Sequence, residues 1–584
     1  MLLNKEHGLT PVQRVLRLTG QYKSEIRYIL LYAAVAGLIN LSLPLGIQAI
    51  IGQIAGGSIN ASWGVLIFFV TVGALLAGIL RLMQLSVMEY MQRKIFTDSA
   101  LEFAIRIPKF NLENLYNEHI PELANRFFDT LTLQKGLPKL LIEGSTAALQ
   151  IIFSLMLLSF YHGSFVTFSL TLLGILLLFF YWAAPIGIQS SLKESKYKYK
   201  LAFWLEEMGR MAATFKLAGD QSFTLRHTDE ITVEYLNARA KHWRVLMAKF
   251  IGGIVFRVFV LTGFLILGSL LVVQNELNIG QFVAAEILVL FVIESVEKLI
   301  LLHEIGYDVV TAAEKLGQVI DLPLERESGV RTEEFSAPGQ PMEVEMKNLS
   351  YQYPDADLPV LKNISLKINA GERVLIAGYN GSGRSTLLQI LSVLKRNFKG
   401  MLLFNGLPKS NLELRSLRRH IGDVSSQEDV FKGTLRDNIT MGNMDVSVPT
   451  ILRVIDQVGL NQFLQSSPAG IDTDLLPGGK NIPGSVVSKI LIARAVVGRP
   501  SLLSLEDPLG KLNQRDRIKI AHFLTEPNHS WTLICASDDP LLAALCDRVV
   551  VLKEGEVIFD GTYAGVQQTE HFKKVFHSMY ISQE

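Results

Sequence analysis

Residues 28–80 and 144–192 contain no Asp, Glu, Lys or Arg. Few constraints on a fold are tighter. Each run is long enough for two crossings of ~20 residues through ~30 Å of hydrocarbon. "YILLYAAVAGLINLSLPLGIQAI" and "WGVLIFFVTVGALLAGIL" form the first pair of candidate spans. "LLIEGSTAALQIIFSLMLLSF" and "SFVTFSLTLLGILLLFFYWAA" form the second, joined by a short turn around His162. "FIGGIVFRVFVLTGFLILGSLLVV" and "IGQFVAAEILVLFVIESVEKLILL" form the third. Six spans place the chain in a bilayer as a multi-pass protein.

The loops set the expected orientation. Lys5, Arg14, Arg17, Lys23 and Arg27 precede the first span. Arg93, Lys94, Lys193, Lys196, Lys198 and Lys200 follow the second and fourth, while the opposite loops carry little beyond Glu276. The positive-inside rule therefore puts both termini in the cytoplasm. Residues 89–139 and 190–249 are too polar for membrane and too patterned for disorder. They read as spans continuing into the cytoplasm as helical hairpins. Within the membrane, Arg257 is expected to pair with Glu294, because their depths along the fifth and sixth spans match. A net charge of +1 gives no sign of nucleic-acid binding, and two cysteines support neither a disulfide framework nor a Cys-rich metal site. The first 27 residues lack the apolar core of a cleavable signal.

After the spans the composition changes. The segment 321–341 is charged, carries Pro and Gly, and reads as a linker. Beyond it, strand-like runs such as "RVLIAG" and "SLLSL" alternate with helical segments, the pattern of an α/β domain. "VVVLKEGEVIFDGT" reads as a hairpin turning at Glu554-Gly555. The expected division is an N-terminal segment 1–27, a membrane domain 28–320, the linker 321–341 and an α/β domain 342–584.

Between "RVLIAG" and "STLLQILSVL" lies "GYNGSGRST", residues 378–386, in the strand–loop–helix setting a phosphate loop requires. Gly378, Asn380, Gly381, Ser382 and Gly383 supply a backbone that wraps closely round an anion, and the helix N-terminus adds its dipole. Ser385 has the hydroxyl for magnesium, and Thr386 follows it. Arg384 stands where lysine is expected. It still offers charge to a phosphate, but as a larger, planar fork.

Six spans, cytoplasmic extensions and this loop resemble an ABC exporter half-transporter over nearly the whole chain. The resemblance is carried by "YQYPDADLPVLKNISLKINAGERVLIAGYNGSGRSTLL", "LRRHIGDVSSQEDVFKGTLRDNI", "ILIARAVVGRPSLLSLEDP" and "DRVVVLKEGEVIFDGT". It implies an all-α six-helix membrane domain followed by an α/β P-loop ATPase domain, with ATP and Mg2+ as ligands. It assigns Tyr353 to stacking on adenine and Gln427 to magnesium and to communication with the membrane helices. Glu506 would serve magnesium's water shell, and Asp507 would act as the base. Gly484 is the surviving glycine of the signature that grips ATP bound to the other subunit.

The chain departs from the family pattern at six points. These are Arg384, Pro483 and Ser485 in the signature "IPGSV", the inverted pair Glu506–Asp507, Asn513, and Asp538 in place of the histidine that contacts the γ-phosphate. Asp507 is one methylene short, so its reach to an attacking water falls ~1 Å short of glutamate's. An anion at 538 repels phosphate. The expected function is an ATP-binding exporter subunit with impaired hydrolysis. The alternatives are a nearly hydrolysis-dead regulatory or structural subunit beside another half-transporter, and a slow ATPase whose altered letters compensate one another. A second half-transporter, identical or different, is the expected partner; a membrane-fusion adaptor is a further candidate, and nucleic acid is not expected. The spans look most like the group that includes type I secretion exporters, which suggests a bacterial inner membrane. No N-terminal peptidase domain is expected, and the substrate is not readable.

Overall fold

A computed structural model describes residues 10–576, apart from 56–60, 116–119, 326–327, 335, 338 and 426–428. The chain divides into two compact units. One comprises Met1–Phe110 and Asn117–Leu324; the other comprises Asn111–Tyr116 and Glu325–Glu584.

In the first unit six helical stretches are long and apolar enough to cross a membrane: Pro11–Ala55, Ala61–Lys109, Ile120–Ser159, Gly163–Arg210, Ser222–Val273 and Ile279–Ile320. They are 40–52 residues long. At 1.5 Å per residue they reach ~60–78 Å, about twice the hydrocarbon thickness, so the polar stretches do continue the spans as helix. The fourth helix starts at the tight turn read in the sequence. There the His162 ring accepts from the Ser164 N–H at 3.1 Å, and its other nitrogen lies 3.0 Å from Glu276. A reciprocal cap between Asn278 and Gln281 opens the sixth helix. Phe165, Phe264 and Leu288 lie fully buried among the fourth, fifth and sixth spans.

Arg257 does not pair with Glu294. Its guanidinium lies 3.2 Å from Glu297, and Glu294 binds Lys298 at 2.7 Å. Counting depth at 1.5 Å per residue cannot separate carboxylates one helical turn apart, and Lys298 reaches Glu294 from its own helix at i,i+4. At the other end of this unit, Arg14 on the helix Pro11–Thr19 sits between Glu314 at 3.0 Å and Asp321. It lies flat on Gly317, where any side chain would overlap the guanidinium.

The second unit holds twelve strands: β1 Val344–Tyr351, β2 Leu361–Ile368, β3 Arg373–Gly378, β4 Lys399–Phe404, β5 Leu407–Pro408, β6 Ile421–Val424, β7 Gly433–Thr434, β8 Asp474–Leu475, β9 Leu502–Glu506, β10 Thr532–Ala536, β11 Arg548–Lys553 and β12 Glu556–Gly561. The central sheet has the order β12-β11-β3-β10-β9-β6 and is parallel except for β12 at its edge. Its strands read as nearly continuous apolar runs because both faces are covered. An antiparallel sheet, β2-β1-β4-β5, lies beside it in the chain order of the unit. The β11–β12 hairpin turns at Glu554 and Gly555, both with positive φ, as its sequence indicated.

Candidate nucleotide site

The carboxyl ends of parallel strands are where an open α/β sheet binds its ligand. Here β3 ends at Gly378, β9 at Glu506 and β10 at Ala536, with Glu506 opposite Ala536 and Leu505 opposite Val424 of β6. The phosphate loop after β3 therefore meets the candidates after β9 and β10, which follow it by more than a hundred residues in sequence.

Packing dictates two of the loop glycines. A Cβ on Gly378 would lie 2.4 Å from the Leu552 carbonyl oxygen. Gly383 has φ +94, and its Cβ would fall 2.7 Å from Leu361. Gly381 is left-handed as well, and Asn380 is exposed at the loop's tip. Ser382 is buried; its N–H donates to the Tyr379 carbonyl at 3.0 Å. From this loop springs the helix Arg384–Leu391, whose free N–H groups and dipole favour an anion.

Ser385 and Glu506 meet: the serine hydroxyl donates to the carboxylate. Two oxygen ligands side by side suit a hard cation such as Mg2+, which is usually held by one or two protein oxygens together with substrate phosphates. Among the described residues no cluster of three or more His, Cys, Asp or Glu could hold a metal by itself. Gln427, the other expected magnesium residue, lies outside the described residues. Tyr353 is half-buried at the end of the antiparallel sheet, its hydroxyl 3.0 Å from that of Thr386. The Lys395 ammonium lies 4.4 Å from the centre of the Tyr353 ring.

The catalytic corner is built differently. Asp507 follows β9 with φ +42, an unfavourable conformation for a residue with a Cβ. Its carboxylate is turned back into its own loop. One oxygen accepts from Ser537 at 3.3 Å, and the other closes over Gly510, where a Cβ would come within 2.3 Å. Burial and the neighbouring Asp538 carboxylate raise the Asp507 pKa, against the Ser537 hydrogen bond and the Arg384 charge. Asp538 thus acts electrostatically on Asp507. Asp539, next in the chain, caps the helix Pro540–Leu545 and pairs with Arg517 at 2.7 Å.

At the signature, Pro483 precedes the helix Gly484–Val497 and provides no side-chain cap. Its carbonyl accepts from Val486 and Val487 at 2.9 and 3.1 Å. Gly484 is exposed, and a Cβ there would touch nothing within 4 Å. Asn513 caps the helix Gln514–Leu524, accepting from the Asp516 N–H at 2.9 Å.

Two features were not anticipated from the sequence. Asp423 on β6 is largely buried beneath the Glu506 strand end and accepts from Ser392, with Ser504 alongside; burial pushes its carboxyl up to about 6. A charged letter inside the strand run "HIGDVS" was its only signal. Glu113 in the segment Asn111–Tyr116 accepts from the Arg396 and Asn397 N–H groups at 2.8 and 3.0 Å. Nothing local in the sequence foretells that contact.

The comparisons agree with this architecture. Residues 26–296 match the family model for the ABC transporter transmembrane region, and residues 361–510 match the model for the ABC transporter. The chain is 28% identical over 297 residues to the alpha-hemolysin translocation ATP-binding protein HlyB of Escherichia coli O157:H7, covering 51% of this chain and 42% of that protein. It is 28% identical over 272 residues to the ATP-dependent lipid A-core flippase of Chromobacterium violaceum, covering 47% and 46%. The matches span about half the length of these curated relatives. The solved structure of a bacterial Atm1-family ABC exporter with ATP bound superposes with a TM-score of 0.82 at 18% identity, over 97% of this chain and 98% of that one. With six membrane-crossing helices ahead of a phosphate-loop α/β unit, and with both regions matched by the family's models, this chain belongs to the ABC transporters.

Proposed function

We propose that this half-transporter binds Mg-ATP, hydrolyses it slowly, and couples nucleotide state to export of a substrate through a dimer. One observation carries the reading: the grip and the chemistry of the site are in different condition. The loop Gly378–Gly383, the helix start and the Ser385–Glu506 pair are in place for binding. Asp507 is folded onto Ser537 and Gly510 with Asp538 behind it.

Magnesium, held by Ser385 and Gln427 with Glu506 at its water shell, would neutralise phosphate charge. The backbone amides of 381–385 and the Arg384 guanidinium hold the phosphates, and Tyr353 offers its ring to the base. Asp507, directly after β9, is the base candidate in this reading, with Glu506 committed to Ser385. To serve, it must leave Ser537, lose any proton its raised pKa retains, and reach a water one methylene further away. Asp538 places negative charge where charge stabilisation is needed, which slows transfer more than it weakens binding. Gly484 and its helix start would face nucleotide held by a second subunit, though Pro483 has neither hydroxyl nor N–H to offer it. Both kinds of defect lie in one chain, so an intact partner would still leave each composite site with one poor half.

The lysine and arginine loops support cytoplasmic termini and a cytoplasmic ATPase unit, and the likeness of the spans to the secretion-exporter group supports a bacterial inner membrane. The test is nucleotide binding and phosphate release by the purified protein in lipid. Micromolar to millimolar ATP binding with turnover far below one per second is expected. Vigorous turnover abolished by Asp507→Asn overturns slow hydrolysis, and absence of nucleotide binding overturns the reading altogether. The second reading, a regulatory subunit beside a competent half-transporter, is favoured by Pro483; co-purification of a different half-transporter would support it.

A further inference from the structure

A polar pocket lies between the second, third and sixth spans. It measures about 180 Å³ and is lined by Arg81, Gln84, Glu143, Thr146, Gln150 and Lys298 with a few apolar neighbours. Two helix faces build it. Arg81, Gln84, Leu85 and Met88 recur at helical spacing on the second span, as do Glu143, Thr146 and Gln150 on the third. At 1.5 Å per residue, Arg81, Glu143 and Lys298 lie ~24–30 Å from the outer ends of their spans. They share one level, near the far edge of a ~30 Å core.

Near this boundary a long charged side chain snorkels at little cost, but a buried polar group left without a partner is still costly and ordinarily marks a site. The local bonding of the lining groups leaves them uncommitted. Gln84 is only 3% exposed, yet its amide nitrogen finds no hydrogen-bond partner among the described residues. The Thr146 hydroxyl is in the same condition. Lys298 is already neutralised by Glu294. Arg81 and Glu143 line the same cavity but form no ion pair with each other or with any other described residue. Opposite charges facing one space without closing on each other mark a site for a ligand that carries both complements. A plain anion would meet Glu143 and a plain cation Arg81, each unfavourable in a medium of low dielectric.

We propose that this pocket binds a small zwitterionic solute, with its carboxylate on Arg81 and the Gln84 amide and its ammonium on Glu143. The volume, equal to about six water molecules, fits a solute of dipeptide size. The proposal rests on the export reading and names the substrate class for it.

The test uses the full chain in lipid nanodiscs with three probes: L-alanyl-L-alanine, its N-acetyl derivative and its C-terminal amide. The zwitterion should bind at least about tenfold more tightly than either singly charged derivative. Arg81→Gln and Glu143→Gln should each remove that preference. The double exchange Arg81→Glu with Glu143→Arg should restore it with the ligand reversed, a rescue that a merely structural pair of charges would not give to binding. Equal binding of the three probes, no binding of any, or no effect of the single variants overturns the proposal. Nucleotide binding read on the same samples separates the two conclusions: retained nucleotide binding without dipeptide binding overturns the pocket alone, and loss of nucleotide binding in the unaltered protein overturns the transporter reading.

Discussion

The phosphate loop and the signature helix start are both glycine-bearing turns that open a helix, yet they are constrained by different things. At Gly378 and Gly383 the protein's own atoms forbid a side chain: the Leu552 carbonyl in one case, Leu361 and a left-handed backbone in the other. At Gly484 nothing lies within 4 Å of a Cβ. The fold therefore holds the first turn in shape whether or not nucleotide is turned over. It places no such demand on the second, where Pro483 and Ser485 stand without disturbing the helix behind them. The same division separates Ser385–Glu506, joined by a hydrogen bond, from Asp507, whose carboxyl is held above its ordinary range by burial and by the charge of Asp538. The glycines whose side chains the fold would exclude, Gly378 and Gly383, lie in the first turn, and the second turn has no such packing constraint at Gly484.

The largest effect should come from repairing the second kind. Asp507→Glu combined with Asp538→His restores reach and removes the misplaced anion. Phosphate release in lipid at saturating Mg-ATP should rise on the order of 100–1,000-fold, roughly 3–4 kcal/mol off the barrier. No gain would show that the signature, not the catalytic corner, limits turnover.

Asp423 extends the contrast to a buried acid outside both turns. Its folded pKa of about 6 lies above the usual 3.8, so the native state holds the proton more tightly. The contribution of Asp423 to stability is thus greatest below about pH 4 and falls as pH rises through about 6. Asp423→Asn should raise unfolding stability at pH 7.5 by roughly 2–3 kcal/mol, and the gain should vanish near pH 4. Denaturation of the full chain in detergent at both pH values checks this; a pH-independent gain would contradict it.

Gly383→Ala and Gly484→Ala test the two turns directly. The first should cost about 2 kcal/mol and weaken nucleotide binding; the second should change stability by less than about 0.5 kcal/mol. Equal costs in melting experiments would collapse the comparison. An effect between those two is expected at Lys395→Met, where loss of the cation over Tyr353 should shift stability by about 0.5–1 kcal/mol, read by the same melts.

The membrane spans were legible because the absence of charge over 28–80 and 144–192 is a one-dimensional signal. "RVLIAG" coincides with β3 for a related reason, since a strand buried on both faces must be apolar throughout. The Ser385–Glu506 meeting followed from the family pattern. What stayed hidden needs lateral geometry. The choice of Glu297 over Glu294 depends on which side of a helix faces Arg257, and a depth count does not carry that. Asp507 folding back on Gly510 depends on a backbone torsion, and the pressure of Asp538 on it depends on β9 and β10 being neighbours.

Arg14 and its carboxylates, Glu314 and Asp321, stand at opposite ends of the membrane unit's chain. On a ribosome, roughly 15–60 s pass between the synthesis of one and the other at 5–20 residues per second. Through that interval Arg14 lacks the two carboxylates between which it finally sits. The ion pairs that tie the first helix to the last form only when the last helix arrives, end fastened to beginning. A nascent chain released before Asp321 should therefore present its N-terminal helix to proteases that the finished protein resists.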